Sequence, residues 1–156
     1  MTERASGETD LIKLYSQRIL ALTTEMPLTD RLEAPDATVR RRAPLCGSTV
    51  TVDVTVEDGR VTGYGQDVKA CALGQAAAAI VGGAVIGRDR QELGRARDEL
   101  RAMLAQDGPV PQAPFKGFEV LQPAREYRNR HASILLAIEA VTQAVEEAEA
   151  QRSAAG

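Results

Sequence analysis

Residues 48–59 read Ser-Thr-Val-Thr-Val-Asp-Val-Thr-Val-Glu-Asp-Gly. Val50, Val52, Val54 and Val56 alternate with Thr49, Thr51, Asp53 and Thr55. Side chains on a strand point to opposite faces in turn, so this alternation predicts a half-buried strand with its valines on a core. Asp58-Gly59 follows as a hairpin turn signal, because both residues tolerate the positive φ that tight hairpin turns require. Arg60–Gln66 is then the return strand, weakened by Gly63 and Gly65. Upstream, Thr38–Ala43 supplies another strand. The three form a small, largely antiparallel meander.

On either side the hydrophobic period changes from two to the helical three-to-four. Leu11, Leu14, Tyr15, Ile19 and Leu22 form one apolar stripe, with Thr9 or Asp10 able to cap its start and Pro27 forbidding continuation. Residues 27–37 read as a loop. After the strands, Cys71–Val81 predicts an Ala-rich helix that can pack close to other backbones. Asp89–Gln106 places Leu93, Ala96, Leu100, Met103 and Leu104 on one face, and Asp107-Gly108-Pro109 stops it. Pro109, Pro111 and Pro114 make 109–117 an extended connector, followed by a short helix around Phe118–Leu121. Ile134, Leu135, Ile138, Val141 and Val145 mark a last helix of about four to five turns, with fraying past Glu149. The fold class is α+β: helices packed on one face of a three-stranded sheet, with an N-terminal helix and a long C-terminal one. The chain reads as a single domain over 1–150 with a tail at 151–156, and no internal repeat.

Composition narrows the function. Of the 156 residues 44% are hydrophobic and 26% charged, as in an ordinary soluble domain. Aromatics are 3% with no Trp, so the core is built from Val, Ile, Leu and Ala, and no stacking platform for bases is available. A net charge of −3 gives no nucleic-acid footprint. Ala70–Gly87 is Gly/Ala-rich, interrupted by Gln75 and too short to span a membrane. The polar start Met-Thr-Glu-Arg-Ala-Ser-Gly-Glu is not a signal peptide, so the expected location is cytoplasmic, without nucleic acid or membrane as partner. Two reduced thiols are the expectation there.

Those thiols carry the chemistry. Cys46 lies between two strands, in a loop bounded by Pro44 and Gly47. Cys71 opens a helix with Lys69 nearby, and both the helix dipole and the cation favour a thiolate. His131, the one histidine, precedes the last helix with Ser133 beside it. Two cysteines and a histidine at element boundaries make a candidate metal triad; the alternative is two small buried hydrophobes and a surface histidine. The spacings match no zinc-finger pattern. Gly82-Gly83 lacks the Lys-Ser/Thr of a phosphate loop, and no Ser-His-Asp or Cys-His-Asn arrangement is recognisable. The chain therefore does not read as an enzyme, and a catalytic character would be that of a sulfur-transfer participant through a thiolate. Arg40-Arg41-Arg42 reads either as a docking edge for an acidic partner or, preferred here, as a charged edge strand that discourages sheet pairing. Arg125, Arg128 and Arg130 offer a second basic patch, with a solvated surface as the simpler reading.

Pro44-Leu-Cys-Gly-Ser48, the alternating valines, the acidic turn with Gly59, and Gly65 followed by Cys71-Ala-Leu-Gly-Gln-Ala together resemble the U-type iron–sulfur cluster assembly scaffold family (the NifU/IscU/SufU group). Leu14-Tyr15 with Ile19-Leu20 resembles that family's opening helix, and Arg130–Val141 its last helix. The helix at 89–106 and the proline connector resemble the SufU-like branch. The resemblance spans about residues 11–146 in order. Four positions depart from the family pattern. Ser48 stands where the family has Asp, Ala70 where it has Gly, and Gly74 where it has Ser. The third cysteine is absent: the last-helix pattern aligns it with Ser133, while a one-residue shift aligns it with Ala132 and brings His131 onto a family histidine.

The resemblance implies a protein that transiently binds iron or a nascent iron–sulfur cluster through Cys46 and Cys71, with His131, Ser48 and Ser133 as the remaining candidate ligands. Two thiolates give a charge of −2 and neutralise one divalent ion, so a Cys2His site would also suit zinc. A cluster needs four strong protein ligands, which one subunit does not supply and a homodimer could. The resemblance further implies a cysteine desulfurase as sulfur donor, Cys46 as first sulfur acceptor with Cys71 second, and iron–sulfur apoproteins as recipients. The alternatives are a zinc-binding sulfur acceptor and a metal-free accessory or regulatory partner of the desulfurase.

Overall fold

The computed structural model describes residues 16–155. Its elements run α1 (Gln17–Thr24), β1 (Ala37–Arg42), β2 (Thr49–Glu57), β3 (Arg60–Lys69), α2 (Ala72–Ala84), α3 (Arg90–Ala105), a 3₁₀ segment (Lys116–Glu126) and α4 (Arg128–Ala155). The three strands form an antiparallel sheet in the order β1-β2-β3. This is the α+β meander that the valine alternation predicts. Val50, Val52, Val54 and Val56 are buried on one face, against α4. Asp58 and Gly59 carry φ of 52° and 76° between the paired Glu57 and Arg60, the two-residue turn with both φ positive.

The return strand is longer than the expected Arg60–Gln66: it runs ten residues to Lys69. Gly63 and Gly65 do not weaken it, because they make room for a long-range crossing. The 27–36 loop lies over the face of the sheet opposite the helices. A Cβ on Gly65 would stand 2.5 Å from the Asp30 carbonyl oxygen and 3.2 Å from the Arg31 Cα. Under that loop Asp53 is fully buried, with its carboxylate accepting from Arg31, from Thr38 Oγ1 and from the Leu32 N–H. Burial pushes its carboxyl up, but these donors outweigh it and hold it below the usual range. Gln66, also buried, ties the loop to α2 by donating to the Pro27 and Ala78 carbonyls.

Helix ends follow local chemistry. Ser16 caps α1 by accepting from the Ile19 N–H. The expected caps Thr9 and Asp10, with Leu11, Leu14 and Tyr15, lie outside the described residues. Asp89 and Glu92 close a reciprocal capping box on α3. The expected short helix at 118–121 is an 11-residue 3₁₀ segment that buries Phe118, Leu121 and Ala124. The last helix is 28 residues long and stays helical past Glu149 to Ala155; no Pro or Gly interrupts it, and Glu, Gln, Arg and Ala all favour helix. It carries two buried lines at helical spacing, Ile134-Ile138-Val141-Val145 and Ser133-Ala137-Ala140-Ala144-Ala148. No helix among the described residues is long and apolar enough to cross a membrane.

Candidate functional site

Three elements meet at the end of the sheet away from the hairpin turn. The β1–β2 loop closes on itself: the Ala43 N–H donates to the Ser48 carbonyl (2.9 Å) and the Gly47 N–H to the Ala43 carbonyl (3.0 Å), with Gly47 at φ 72°. That closure leaves Cys46 exposed and turns Ser48 inward, where it is buried. Cys71 is the residue before α2, in extended geometry, half-buried. Ser133 sits in the second turn of α4 and is 1% exposed.

Their polar atoms form one chain. Cys46 Sγ lies 3.2 Å from Ser48 Oγ, Ser48 Oγ 3.1 Å from Ser133 Oγ, and Ser133 Oγ 3.5 Å from Cys71 Sγ. Gly74 permits this: a Cβ there would meet Ser133 Oγ at 2.5 Å and Ala70 Cβ at 2.9 Å. The three links need three protons. Two thiols and two hydroxyls hold four, and one thiolate leaves three, so that Cys71 S–H can donate to Ser133, Ser133 to Ser48 and Ser48 to the Cys46 thiolate, or all in reverse. Two thiolates leave only two protons, and the Ser48–Ser133 contact loses its donor. The chain thus favours the first ionisation and opposes the second.

Both thiols are displaced below the ordinary range. For Cys46 the main cause is the Ser48 hydroxyl, followed by the Ser48 backbone N–H. For Cys71 burial pushes the thiol up, but the Ser133 hydroxyl, the N–H groups of Gly74 and Leu73 and the charge of Arg130 together outweigh it. Each shift favours the thiolate, the nucleophilic and metal-binding form.

His131 does not join the cysteines. Its Nε2 lies 3.0 Å from the Ala124 carbonyl oxygen; since a carbonyl only accepts, Nε2 carries the proton and has no lone pair for a metal. Among the described residues no three His, Cys, Asp or Glu side chains converge on a common point, so the Cys46–Cys71–His131 triad does not assemble. The reason is rotation: two residues apart on a helix are about 200° apart in direction, so Ser133 facing the cysteines turns His131 away. Ser48 and Ser133, the hydroxyl candidates, are the residues brought together with both thiols. The signal that locates Ser133 is its place at the head of the Ala137-Ala140-Ala144 line, a polar side chain on an otherwise buried small-residue stripe.

The basic residues divide. Arg41 turns to the helix face, donating to Gln143 (2.9 Å) and lying 3.7 Å from Glu139. Arg40 and Arg42 point to the opposite face and are exposed on the edge strand β1. Arg125 pairs with Asp107 at 2.9 Å.

Most of the chain is similar to solved structures. A nitrogen-fixing NifU-like protein (N-terminal) from Brucella abortus is 39% identical, with 91% of this chain and 99% of that chain covered and a TM-score of 0.89. A protein described as an iron–sulfur cluster assembly scaffold for the SUF system, from the thermophile Fervidobacterium islandicum AW-1, shares the fold at 17% identity, with 86% of this chain and 98% of that one covered and a TM-score of 0.76. No protein-family profile and no curated protein matches the chain.

Proposed function

The chain belongs to the U-type iron–sulfur cluster scaffold family, and on that premise we propose that it holds iron or a nascent iron–sulfur cluster transiently through Cys46 and Cys71 and passes it to apoproteins. A role in iron–sulfur cluster assembly follows from the family; the residues that perform it here are the proposal. Its main support is the Cys46–Ser48–Ser133–Cys71 chain, which gathers both thiols around buried hydroxyls at one end of the sheet. Soft thiolates suit iron. Serine hydroxyls are weak ligands, so one subunit offers two of the four strong ligands a cluster takes. A cluster here is labile or shared between two copies, and either property suits release. Zinc as a Cys2His site is not carried forward, because among the described residues His131 does not converge with the two thiols.

The exposure and lowered pKa of Cys46 support a second step at the same site. A cysteine desulfurase carrying a persulfide presents its outer sulfur. The Cys46 thiolate attacks that sulfur, the S–S bond to the donor cysteine breaks, and the donor leaves as a thiolate. Cys46 then holds the persulfide, with no net oxidation. The chain is a stoichiometric acceptor in this step, not an enzyme.

Anaerobic reconstitution with ferrous iron and sulfide, followed by mixing with an apo-ferredoxin, tests the reading. Cluster absorption that forms, moves to the ferredoxin and is absent with Cys71→Ser is the expected result. Equal absorption from the Cys46→Ser/Cys71→Ser double variant would overturn it.

A further inference from the structure

Among the described residues nine arginines lie within ion-pair distance of a carboxylate: Arg31 and Arg41 on or against the sheet, Arg125, and the set around the hairpin turn and α3, from Arg60 to Arg101. The cations at the thiol end are different. Arg42 and Lys69 stand opposite the two sides of Thr49, and Arg40 is one row further in, opposite Thr51. Residues directly opposite one another point to the same face, so these three cations share the exposed face. Arg130 lies one turn before Ser133 and acts on Cys71. Among the described residues none of these four forms an ion pair. Two carboxylates share their face: Asp67, opposite Thr51, and further in Asp53, which is paired with Arg31. A chain with net charge −3 therefore presents a cationic end around its thiols.

Leu45 stands at that end too, one residue before Cys46. It is 92% exposed, against 49% for Leu20, the next most exposed large hydrophobic among the described residues. Pro44 precedes it, and the two backbone hydrogen bonds that close the 43–48 loop hold it outward beside Cys46. An exposed apolar side chain at an end that carries cations with no ion pair among the described residues suits an interface anchor with a charged rim. The charge fixes the complementary surface as anionic.

We propose that Leu45, with Arg40, Arg42, Lys69 and Arg130 at the same end, is the docking element for the protein that delivers sulfur to Cys46, and that this partner offers an apolar socket bordered by Asp and Glu side chains. The inference rests on Cys46 as sulfur acceptor and adds what brings the donor there. Insertion of Leu45 places the next residue, Cys46, at the partner's reactive sulfur, and the rim speeds encounter in a salt-dependent way.

The test uses the cysteine desulfurase of the same organism with full-length chain, comparing wild type, Leu45→Ser, the double reversal Arg40→Glu/Arg42→Glu, and Cys46→Ser. Binding is read by titration at low and high salt, and persulfide by the mass gain of one sulfur atom at Cys46. Expected are roughly tenfold or greater weakening with Leu45→Ser and with the double reversal, loss of salt dependence in the latter, and intact binding without a Cys46 persulfide in Cys46→Ser. Far-UV circular dichroism and iodoacetamide alkylation of Cys46 in Leu45→Ser check that fold and thiol are unchanged. Persulfide on Cys46 at wild-type rate and affinity in both docking variants overturns this surface and leaves the sulfur-acceptor reading standing. No binding and no persulfide in wild type overturns that reading and the docking proposal with it. A self-associated wild-type chain that Leu45→Ser converts to monomer assigns the knob to a second copy, and also overturns the proposal.

Discussion

The two ends of the β2–β3 hairpin are built to opposite rules. At the turn end charge is neutralised locally. Arg60 reaches the Gly87 carbonyl and Glu92, Arg88 lies 2.8 Å from Glu92, Arg90 lies 3.8 Å from Glu149, and Asp89 caps α3 while pairing with Arg60 through the backbone. At the thiol end buried hydroxyls link the two thiols, and among the described residues the cations form no ion pair. The difference teaches where this fold keeps stability and where it keeps chemistry. A satisfied ion-pair end adds modest stability and offers a ligand little. An end with displaced thiols, unpaired cations and an exposed Leu45 has interactions left to make.

Substitutions at the thiol end should change binding and reactivity, and those at the turn end stability alone. The largest expected effect is a gain. Ser133→Cys adds a third thiolate at the centre of the site, and iron should resist a competing chelator by roughly tenfold or more; unchanged retention would place the iron elsewhere. Next is Ser48→Ala. Removing the hydroxyl that lowers Cys46 raises that thiol's pKa, so less thiolate is present at pH 7. Alkylation at that pH should slow by roughly three- to tenfold, and the midpoint of its pH profile should move upward. A profile that does not move would sever the link between the chain of hydroxyls and reactivity. At the other end Asp89→Ala should cost about 1 kcal/mol in urea unfolding through loss of the capping box, while Cys46 alkylation stays at the wild-type rate. The smallest effect belongs to His131→Gln, for which bound iron should not change; a loss there would restore the histidine as a ligand.

What the sequence made legible was local. The valine ladder, the Asp58-Gly59 turn and the apolar face of the 89–106 helix each depend on neighbours a few positions apart, and each stands as read. The two thiols were legible as candidates because proline, glycine and the opening of a helix mark their positions. The rest depended on distant partners. Gly63 and Gly65 read as weak points in a strand until the 27–36 loop is seen to cross them. His131 outranked Ser133 as a candidate because its side chain is the better ligand, but the direction of each is fixed by how α4 packs, which no local pattern encodes. Ser48 and Ser133 are separated by 85 residues, and their contact exists only in the assembled fold.

The central claim is that Cys46 and Cys71 hold iron or its cluster despite the serines between them. The direct measurement is iron, zinc and acid-labile sulfide in chain purified without oxygen, beside its Cys46→Ser variant. Iron and sulfide in equal amounts in the wild type, and neither in the variant, is the result this account predicts. Zinc without sulfide, or no metal in either sample, would contradict it.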